Sequence, residues 1–463
     1  MKNIDSILHQ YKNSYYKLPS SIQTFIGELY GHIPLSVRFG KNYPKHQEII
    51  RRFYASSQQF QLDYIYSKTY ETLQFAYDNL PYYTKIFDEY AFNVKDFKSF
   101  DDYQKVPYLT REAVLSNLSE MNTDKVEKKV LIETGGTSMN AMKFFIPKEL
   151  SRAKEKAYFL HVFKQLEEYE YRAKTLAFRT IHIDGAEPKL WMHEAVDNYL
   201  FFSTNFINNE NIHTILKQIK KFQPKFINAF PSALYLFIQT CQKNNIYELA
   251  NTEIKGIILT SEGIPNHYSL TFKKFFNCNI VAQYGHTERI STAYNLNQEK
   301  YHFLNSYGLS ESVNNEIIGT SFDNFVMPFI RYKTKDFISG ETTFFKDTNI
   351  IQTVEHIDGR LQEYLVTKNH TLVSILQLSY DYITGYEYAD AIQFYQDTPG
   401  YIILSIQSQK PEEIDEQIII SLAKKMSNQF EYKINIIAKI ERTARGKFKH
   451  LIQKLDIDKY MEV

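Results

Sequence analysis

The pattern of apolar and polar positions changes near residue 128, and this change divides the chain into regions of different predicted structure. Residues 1 to about 125 are polar and tyrosine-rich, and their apolar spacing predicts mostly helices. From about 128 to 285, short apolar runs alternate with longer stretches at helical spacing. This alternation is typical of βαβ units, so we expect a parallel sheet flanked by helices.

The alternating region predicts a regular succession of strands and helices. The expected strands are 128–133, 174–183, 225–230, 254–260 and 279–285. The expected helices are 153–166, 211–222, 232–244 and 267–276. Ligands of such sheets bind beyond the carboxyl ends of the strands. The segments that follow the strands are therefore the candidates for a site.

After about residue 300 the helices thin out, and a small α+β pattern closes the chain. Strands are expected at 401–407 and 432–440, with an amphipathic helix at 412–430 between them. We predict an α/β protein whose large domain contains mixed and parallel sheets with flanking helices. The predicted division is a large domain over 1–358, with a helical N-terminal extension over 1–70, and a small α+β domain over 359–463.

Composition and charge narrow the functional classes. The 54 lysines and arginines balance 53 aspartates and glutamates, so the net charge is +1 and a general nucleic-acid binder is not expected. Two cysteines, Cys241 and Cys278, cannot build a disulfide framework, and no CxxC zinc motif is present. No apolar run approaches 18 residues, and the N-terminus lacks a signal-peptide core. We therefore expect a cytoplasmic protein without a membrane span.

Glycine is scarce, which makes its positions informative. The chain has 16 glycines among 463 residues, about half the usual share of roughly 7%. The segment Thr134-Gly135-Gly136-Thr137-Ser138 ends the first predicted strand. Its backbone N–H groups could cradle an anion, with the hydroxyls as further donors. Taken alone, the segment is better explained as a plain polar turn. Most glycines outside such segments are expected in ordinary turns.

The segment Tyr284-Gly285-His286-Thr287-Glu288 ends the strand predicted at 279–285. Tyr284 offers a flat ring for a purine. Glu288 offers an oxygen ligand for Mg²⁺, a cation that is often held by one carboxylate together with phosphates. The alternative is an ordinary strand end with a surface glutamate.

Two later positions carry charged groups suited to a nucleotide. Asp336 follows a dense cationic stretch and could accept two hydrogen bonds from ribose hydroxyls. The alternative is a charged strand pair with surface salt bridges that contribute little. Lys447 follows Gly446 and could present an ammonium that neutralises charge at a phosphate. The alternative is a basic surface tail.

The order of these segments resembles the adenylate-forming superfamily of acyl- and aryl-CoA synthetases. The series is TGGTS, then SEG after a buried strand, then QYGHTE, PFIRYKTKD, DGR and ARGK. Details narrow the resemblance to the phenylacetate–coenzyme A ligase branch, including the CapK-type proteins of capsular polysaccharide biosynthesis. These details are LPYY (80–83), VPYLT (106–110), FPSAL (230–234) and PFIRY (328–332). The similarity covers roughly residues 70–455.

The resemblance implies a role for each matching residue. Those implied to bind ATP are Thr134, Gly135, Gly136, Thr137, Ser138, Ser261, Glu262, Gly263, Tyr284, Gly285, Asp336 and Arg360. Those implied to be catalytic are Lys447, Thr287 and Glu288, of which Glu288 would also hold Mg²⁺. The acid pocket is expected near Phe230, Tyr235 and Ala282.

The resemblance also implies a reaction. A carboxylic acid would attack the α-phosphorus of ATP to give an acyl adenylate and pyrophosphate. The acyl group would then pass to coenzyme A, or to an amine of a sugar or amino acid, or to a carrier protein. In this superfamily the small C-terminal domain is mobile and turns about a hinge, here expected near 359–363.

The sequence departs from the family pattern at two places. Ser138 stands where a glycine is usual and Asn140 where a proline is usual. The acidic pair expected after the GR pair is Gln362-Glu363, preceded by Leu361. These departures leave open a nucleotide-binding scaffold without activity, although Glu288, Asp336 and Lys447 are all retained.

Overall fold

The computed structural model describes most of the chain. The described residues are 14–15, 17–123, 125, 128–133, 142–179, 189–247, 249, 253–360, 364–375, 378, 383, 386, 388–441 and 449–460, with only the backbone of 360, 374 and 458. The chain packs as two compact units. The first combines Met1–Arg172, Glu194–Asn198 and Val281–His356, and the second combines Ala173–His193, Tyr199–Ile280 and Ile357–Val463.

The N-terminal part of the first unit is helical, as the apolar spacing predicts. Its helices are α1 (Ser20–His32), α2 (Leu35–Arg38), α3 (Asn42–Ala55), α4 (Gln58–Asn79), α5 (Pro81–Glu89), α6 (Phe100–Tyr103), α7 (Arg111–Ser116) and α8 (Leu150–Phe163). Thr110 caps α7, where its hydroxyl accepts a hydrogen bond from the Ala113 N–H at 3.2 Å. Such a cap satisfies one of the backbone donors that a helix start leaves unpaired.

Two glycines of α1 contradict the expectation that such glycines lie in turns. Gly27 and Gly31 are buried on one face of the helix. A Cβ at Gly31 would collide with the guanidinium of Arg172 and the carbonyl of Val196. The glycines therefore allow close packing inside a helix, while Phe25 and Leu29 of the same helix remain exposed.

The strands of the first unit are largely antiparallel. The short strands β1 (Lys129–Glu133) and β2 (Lys143–Pro147) form an antiparallel pair of their own, so β1 does not open the parallel series as its position suggested. The remaining strands are ordered β11-β12-β13-β14-β10-β9-β8. They are β8 (Asn279–Gly285), β9 (Thr292–Leu296), β10 (Tyr301–Phe303), β11 (Gly308–Val313), β12 (Glu316–Ser321), β13 (Tyr332–Phe344) and β14 (Ile351–Arg360).

The second unit contains three of the predicted strands, those expected at 174–183, 225–230 and 254–260, and two that were not predicted. The three predicted strands are β3 (Thr175–Phe178), β6 (Phe226–Ala229) and β7 (Gly256–Thr260), and the other two are β4 (Trp191–Glu194) and β5 (Tyr199–Phe202), in the order β7-β6-β3-β5-β4. Strand β3 pairs in parallel with both β5 and β6, and β6 pairs in parallel with β7. The helices that follow β5, β6 and β7 are α9 (Ile212–Phe222), α10 (Pro231–Lys243) and α11 (Asn266–Phe276). The predicted βαβ pattern is confirmed.

The C-terminal part of the second unit has its own sheet and core. Strands β15 (Tyr364–Val366) and β16 (Leu372–Ser374) form a pair, and a four-stranded sheet has the order β19-β18-β17-β20. The latter consists of β17 (Ala391–Thr398), β18 (Tyr401–Gln407), β19 (Glu431–Ile437) and β20 (Leu451–Gln453), with α12 (Glu416–Met426) between β18 and β19. The predicted α+β character is confirmed, whereas the boundary at 358 and the hinge at 359–363 stay predictions.

A buried ion pair braces the first unit beside β13. Arg331 is 1% exposed, and its Nε and Nη2 donate to the two carboxylate oxygens of Glu311 at 3.2 and 3.3 Å. Its Nη1 donates to the carbonyls of Gln104 and Val106, both at 2.7 Å, and Nη2 also donates to the Tyr108 hydroxyl at 3.3 Å. All five N–H donors of the guanidinium are thus used. The alternative of surface salt bridges in the cationic stretch before Asp336 is therefore wrong for Arg331.

A second buried cluster surrounds Asp323. Lys68 donates to its Oδ1 at 2.9 Å and Lys154 to its Oδ2 at 3.3 Å. Burial opposes ionisation, but the two ammonium groups outweigh it and hold the pKa of Asp323 below its usual range. His46 lies near these charges and is fully buried, and neither ring nitrogen has a hydrogen-bond partner in the described part of the chain. Burial, followed by the charge of Lys154, lowers the pKa of His46 to about 3.

None of the helices in the described part of the chain has the length and apolar character needed to cross a bilayer.

Candidate active site

The first unit brings two of the predicted nucleotide-binding residues into contact. Tyr284 lies near the end of β8, and Asp336 lies near the start of β13. The Tyr284 hydroxyl donates to Asp336 Oδ2 at 2.8 Å, although the two residues are 52 positions apart in sequence. The aromatic ring and the carboxylate that the resemblance assigns to adenine and ribose are therefore neighbours.

His286 completes a compact triangle with these two residues. Its Nε2 lies 2.8 Å from the Tyr284 hydroxyl and 2.8 Å from Asp336 Oδ2. The Tyr284 hydroxyl and His286 Nε2 each carry at most one hydrogen. At most two of the three contacts are therefore hydrogen bonds at one time. His286 Nδ1 is buried and has no hydrogen-bond partner among the described residues. The three side chains therefore form one connected polar group beside the end of β8.

The backbone around the triangle is held by side-chain hydroxyls. The Thr292 hydroxyl of β9 donates to the Tyr284 carbonyl at 2.9 Å. The Asp336 N–H donates to the Thr334 hydroxyl at 3.0 Å, and that hydroxyl donates to the Ile317 carbonyl at 2.7 Å. The side chains of His286 and Asp336 are 4% and 7% exposed. Hydrogen-bond donors stabilise a buried carboxylate, and Tyr284 and His286 lie at hydrogen-bond distance from Asp336.

The segment that follows His286 offers oxygen ligands. Gly285 and Thr287 are exposed, so the chain reaches the surface on both sides of His286. Glu288 is 5% exposed, and no described lysine or arginine forms an ion pair with it. The described residues contain no group of three His, Cys, Asp or Glu side chains that could hold a metal ion. A single carboxylate still fits Mg²⁺, which commonly takes one or two carboxylates and completes its shell with phosphates and water.

The second unit positions the Ser261-Glu262-Gly263 segment directly after β7. Ser261 has a φ of 72°, in the left-handed region that favours glycine. The Glu262 carboxylate accepts from the Ser232 N–H at 3.0 Å and from the Ser232 hydroxyl at 3.2 Å. Glu262 thereby satisfies a free N–H at the start of α10, where negative charge is favourable.

The residues expected around the acid substrate lie in both units. In the second unit, Phe230 precedes α10 and is 7% exposed. Tyr235 stacks on Tyr268 with ring centroids 4.1 Å apart, so its ring is held by a neighbouring helix. Ala282 belongs to the first unit and is 2% exposed. Their role as a substrate pocket stays a prediction.

Several predicted site residues lie outside the described residues. They are Thr134, Gly135, Gly136, Thr137, Ser138 and Lys447, together with Gln362 and Glu363 after the GR pair. The backbone of Arg360 ends β14, and its side chain is also outside the described part. The predicted phosphate loop and catalytic lysine therefore rest on the resemblance.

No role for His286 was predicted from the sequence, because its partner Asp336 is 50 positions away. A histidine that follows a strand end beside a predicted site residue is the only signal that could have pointed to it. Burial raises the pKa of both Cys241 and Cys278 to about 12, so each thiol stays protonated.

Comparison with known proteins identifies relatives by sequence. Residues 365–454 match the family described as the CapK C-terminal domain. The chain is also 23% identical over 446 residues to Protein CapK of Staphylococcus aureus. That alignment covers 93% of this chain and 91% of the relative.

Two solved structures share the fold. The crystal structure of 2-hydroxyisobutyryl-CoA ligase in the postadenylation state, in complex with R3-HIB-AMP, aligns with a TM-score of 0.61 and 11% identity. The alignment covers 86% of this chain and 90% of that chain. The same ligase in complex with 2-HIB-AMP aligns with the same TM-score, identity and coverage. The predicted resemblance is thus confirmed in these terms: residues 365–454 match the CapK C-terminal domain, and the chain shares its fold with 2-hydroxyisobutyryl-CoA ligase.

Proposed function

We propose that the chain is an ATP-dependent carboxylic acid ligase that forms an acyl adenylate and transfers the acyl group to coenzyme A. The observation that carries the proposal is the contact between Tyr284 and Asp336 at 2.8 Å. Support also comes from the fold shared with a ligase whose crystal structure contains an acyl-AMP. A carboxylic acid and ATP are the expected substrates, and the cytoplasm is the expected location.

In the proposed complex the ribose hydroxyls donate to the Asp336 carboxylate and the adenine lies against Tyr284. The tyrosine hydroxyl is tied to Asp336, so the aromatic face and the carboxylate are held in one arrangement before the nucleotide arrives. Preformed geometry of this kind lowers the entropy that binding costs. Ser261, Glu262 and Gly263 are proposed to lie beside the adenine.

The chemistry joins two anions and needs positive charge at the phosphates. Glu288 would hold Mg²⁺, and the bound ion would supply charge that stabilises the transferring phosphoryl group. Thr287 is proposed to contact a phosphate, and the Thr134–Ser138 loop and Arg360 to hold the ATP tail. Lys447 would stabilise the negative charge that develops at the α-phosphorus.

The test is ATP–pyrophosphate exchange with a panel of aryl and acyl acids. At least one acid is expected to support exchange, and adding coenzyme A is expected to yield a thioester. Exchange without a thioester would favour an amine or a carrier protein as the acceptor. ATP binding without exchange for any acid would favour a scaffold, and the ligase proposal would then be wrong.

Lys447 separates the two half-reactions. We expect Lys447→Ala to abolish exchange while largely preserving thioester formation from supplied acyl adenylate, because its charge is needed only at the phosphate. Lys439→Ala, at an exposed position on the same part of the chain, is the matched control and should preserve both. An equal loss of both half-reactions in Lys447→Ala would contradict the assigned role.

A further inference from the structure

We infer that His286 is a positioning residue that orients the Asp336 carboxylate for ribose and so makes the site selective for ribonucleotides. This inference rests on the proposed function. His286 is not itself assigned a contact with ATP. Its effect passes through the carboxylate, from which its Nε2 is 2.8 Å away.

The first step concerns the freedom of an aspartate. The χ2 torsion of Asp is broad and roughly two-fold, so its rotamer alone does not fix the plane of the carboxylate. One hydrogen-bond donor fixes its distance to one oxygen, but the carboxylate can still rotate about that contact. Two donors that approach from different residues fix the plane. Tyr284 and His286 are such a pair at Oδ2.

The second step concerns the rigidity of the two donors. The rings of Tyr284 and His286 meet edge to face, with centroids 4.9 Å apart and an interplanar angle of 82°. The Tyr284 ring also packs at 6.2 Å from Phe303. The His286 side chain is 4% exposed. Neither ring can swing without losing packing, so the oxygen they share is held in place.

The third step concerns what the fixed carboxylate recognises. A ribose carries two adjacent hydroxyls, and a correctly turned carboxylate can accept from both. A site built to accept from a hydroxyl rejects the analogue that lacks it, because its buried acceptor then stays unpaired. A carboxylate free to turn loses this discrimination, since it can adapt to a single hydroxyl.

The experiment measures dissociation constants of the full chain for ATP, 2′-deoxyATP and 3′-deoxyATP by calorimetry. The unaltered protein should bind ATP at least ~10-fold more tightly than either deoxynucleotide, the factor expected for one hydrogen bond to a charged group. His286→Ala should bring this ratio to within about twofold. His286→Gln should retain more of the ratio than His286→Ala, because a glutamine amide can donate from a similar distance.

Kinetics and a control variant complete the design. In the exchange assay His286→Ala should raise the KM for ATP and change kcat little, the signature of lost binding. His356→Ala, which removes a side chain that is 59% exposed, should match the unaltered protein in every measurement. The ratio is internal to each variant, so partial unfolding does not alter it.

The outcomes separate the inference from the proposed function. An unchanged ratio in His286→Ala, or tighter binding of ATP by that variant, would overturn the role of His286 alone. A ratio near one in the unaltered protein would overturn it too. Failure of the unaltered protein to bind ATP would overturn both this inference and the ligase proposal.

Discussion

Arg331 and Asp336 are two buried charges on either side of the start of β13, and they differ in what surrounds them. Arg331 uses all five of its N–H donors on groups of the first unit. Asp336 Oδ2 contacts Tyr284 and His286, which belong to a segment that is exposed at Gly285 and Thr287. A charge whose donors are all used inside the chain serves the fold, whereas a charge beside an exposed segment is suited to a ligand.

The largest expected effect is on the free energy of unfolding and concerns Arg331. Arg331→Met leaves the buried Glu311 carboxylate without its cationic partner, although Asn349 Nδ2 still donates to it at 3.2 Å. The free energy of unfolding should fall by about 3–5 kcal/mol. The double variant Arg331→Met/Glu311→Leu should recover most of the loss, since it removes both charges. Urea unfolding of the three proteins measures this. A loss below about 1 kcal/mol in the single variant would show that Arg331 does not serve the fold in this way.

The opposite behaviour is expected of Asp336. Asp336→Asn should weaken ATP binding by about 10²-fold, because two hydrogen bonds to a charged acceptor are lost or weakened. The free energy of unfolding should change by less than about 1 kcal/mol, since an amide can keep part of the triangle. Calorimetric titration and urea unfolding give the two quantities. A large loss of stability with intact ATP binding would reverse the comparison.

His46 sharpens the comparison, because its ring nitrogens have no hydrogen-bond partner among the described residues and yet the residue is fully buried. Its pKa is about 3 in the folded protein, set by burial and then by Lys154, with Asp323, Lys45 and Lys68 also nearby. The unfolded chain, with a pKa of about 6.5, binds more protons over this range. Stability should therefore fall on acidification below pH 6.5, by up to about 1.4 kcal/mol per pH unit.

The variant His46→Leu tests this reading of an unsatisfied but inaccessible group. It should flatten the pH dependence of unfolding between pH 6.5 and 4, and leave ATP binding unchanged. An equal pH dependence of unfolding in the unaltered protein and in His46→Leu would show that other groups cause the loss of stability at acid pH. Loss of ATP binding in His46→Leu would mean that incomplete satisfaction marks a ligand site even when it is fully buried.

The smallest effect concerns Ser261. Its left-handed backbone costs about 1–2 kcal/mol, and glycine regains this at an entropic cost of about 0.5–1 kcal/mol. Ser261→Gly should therefore stabilise the protein by about 0.5 kcal/mol. Asn277 also has a positive φ, of 48°. Asparagine tolerates this region better, so Asn277→Gly should gain less in the same thermal unfolding assay.

The sequence predicted the elements best where their pattern is local. Strands β8 and β18 have the predicted bounds, 279–285 and 401–407, because each is a short, mostly apolar segment. The pairing of β1 with β2 was not predicted, since a short apolar run does not reveal the direction of its partner. For β9 to β14 no bounds were predicted, although neighbours such as β11 and β12 pair directly, because polar residues interrupt their short apolar segments.

Only part of the site was predicted, because local motifs can be recognised in the sequence but contacts between distant segments cannot. Tyr284 and Asp336 were named because their motifs occur in a recognisable order, although neither motif shows that the two meet. His286 and Glu311 were missed, because their importance comes from partners that the fold brings near. Arg331 looked like a surface residue among lysines, since the sequence does not show that its side chain alone turns inward. Burial is decided by packing between segments far apart in the chain.

The division of the first unit into three segments has a consequence for synthesis on the ribosome. Its main core joins residues such as Phe53 and Phe144 to Phe329 and Ile350, so it cannot close until the last of these has emerged. Translation from residue 173 to residue 356 takes roughly 10–40 s at 5–20 residues per second. During that interval the nascent helices keep apolar surface open to chaperones, and truncated products ending before residue 350 should aggregate.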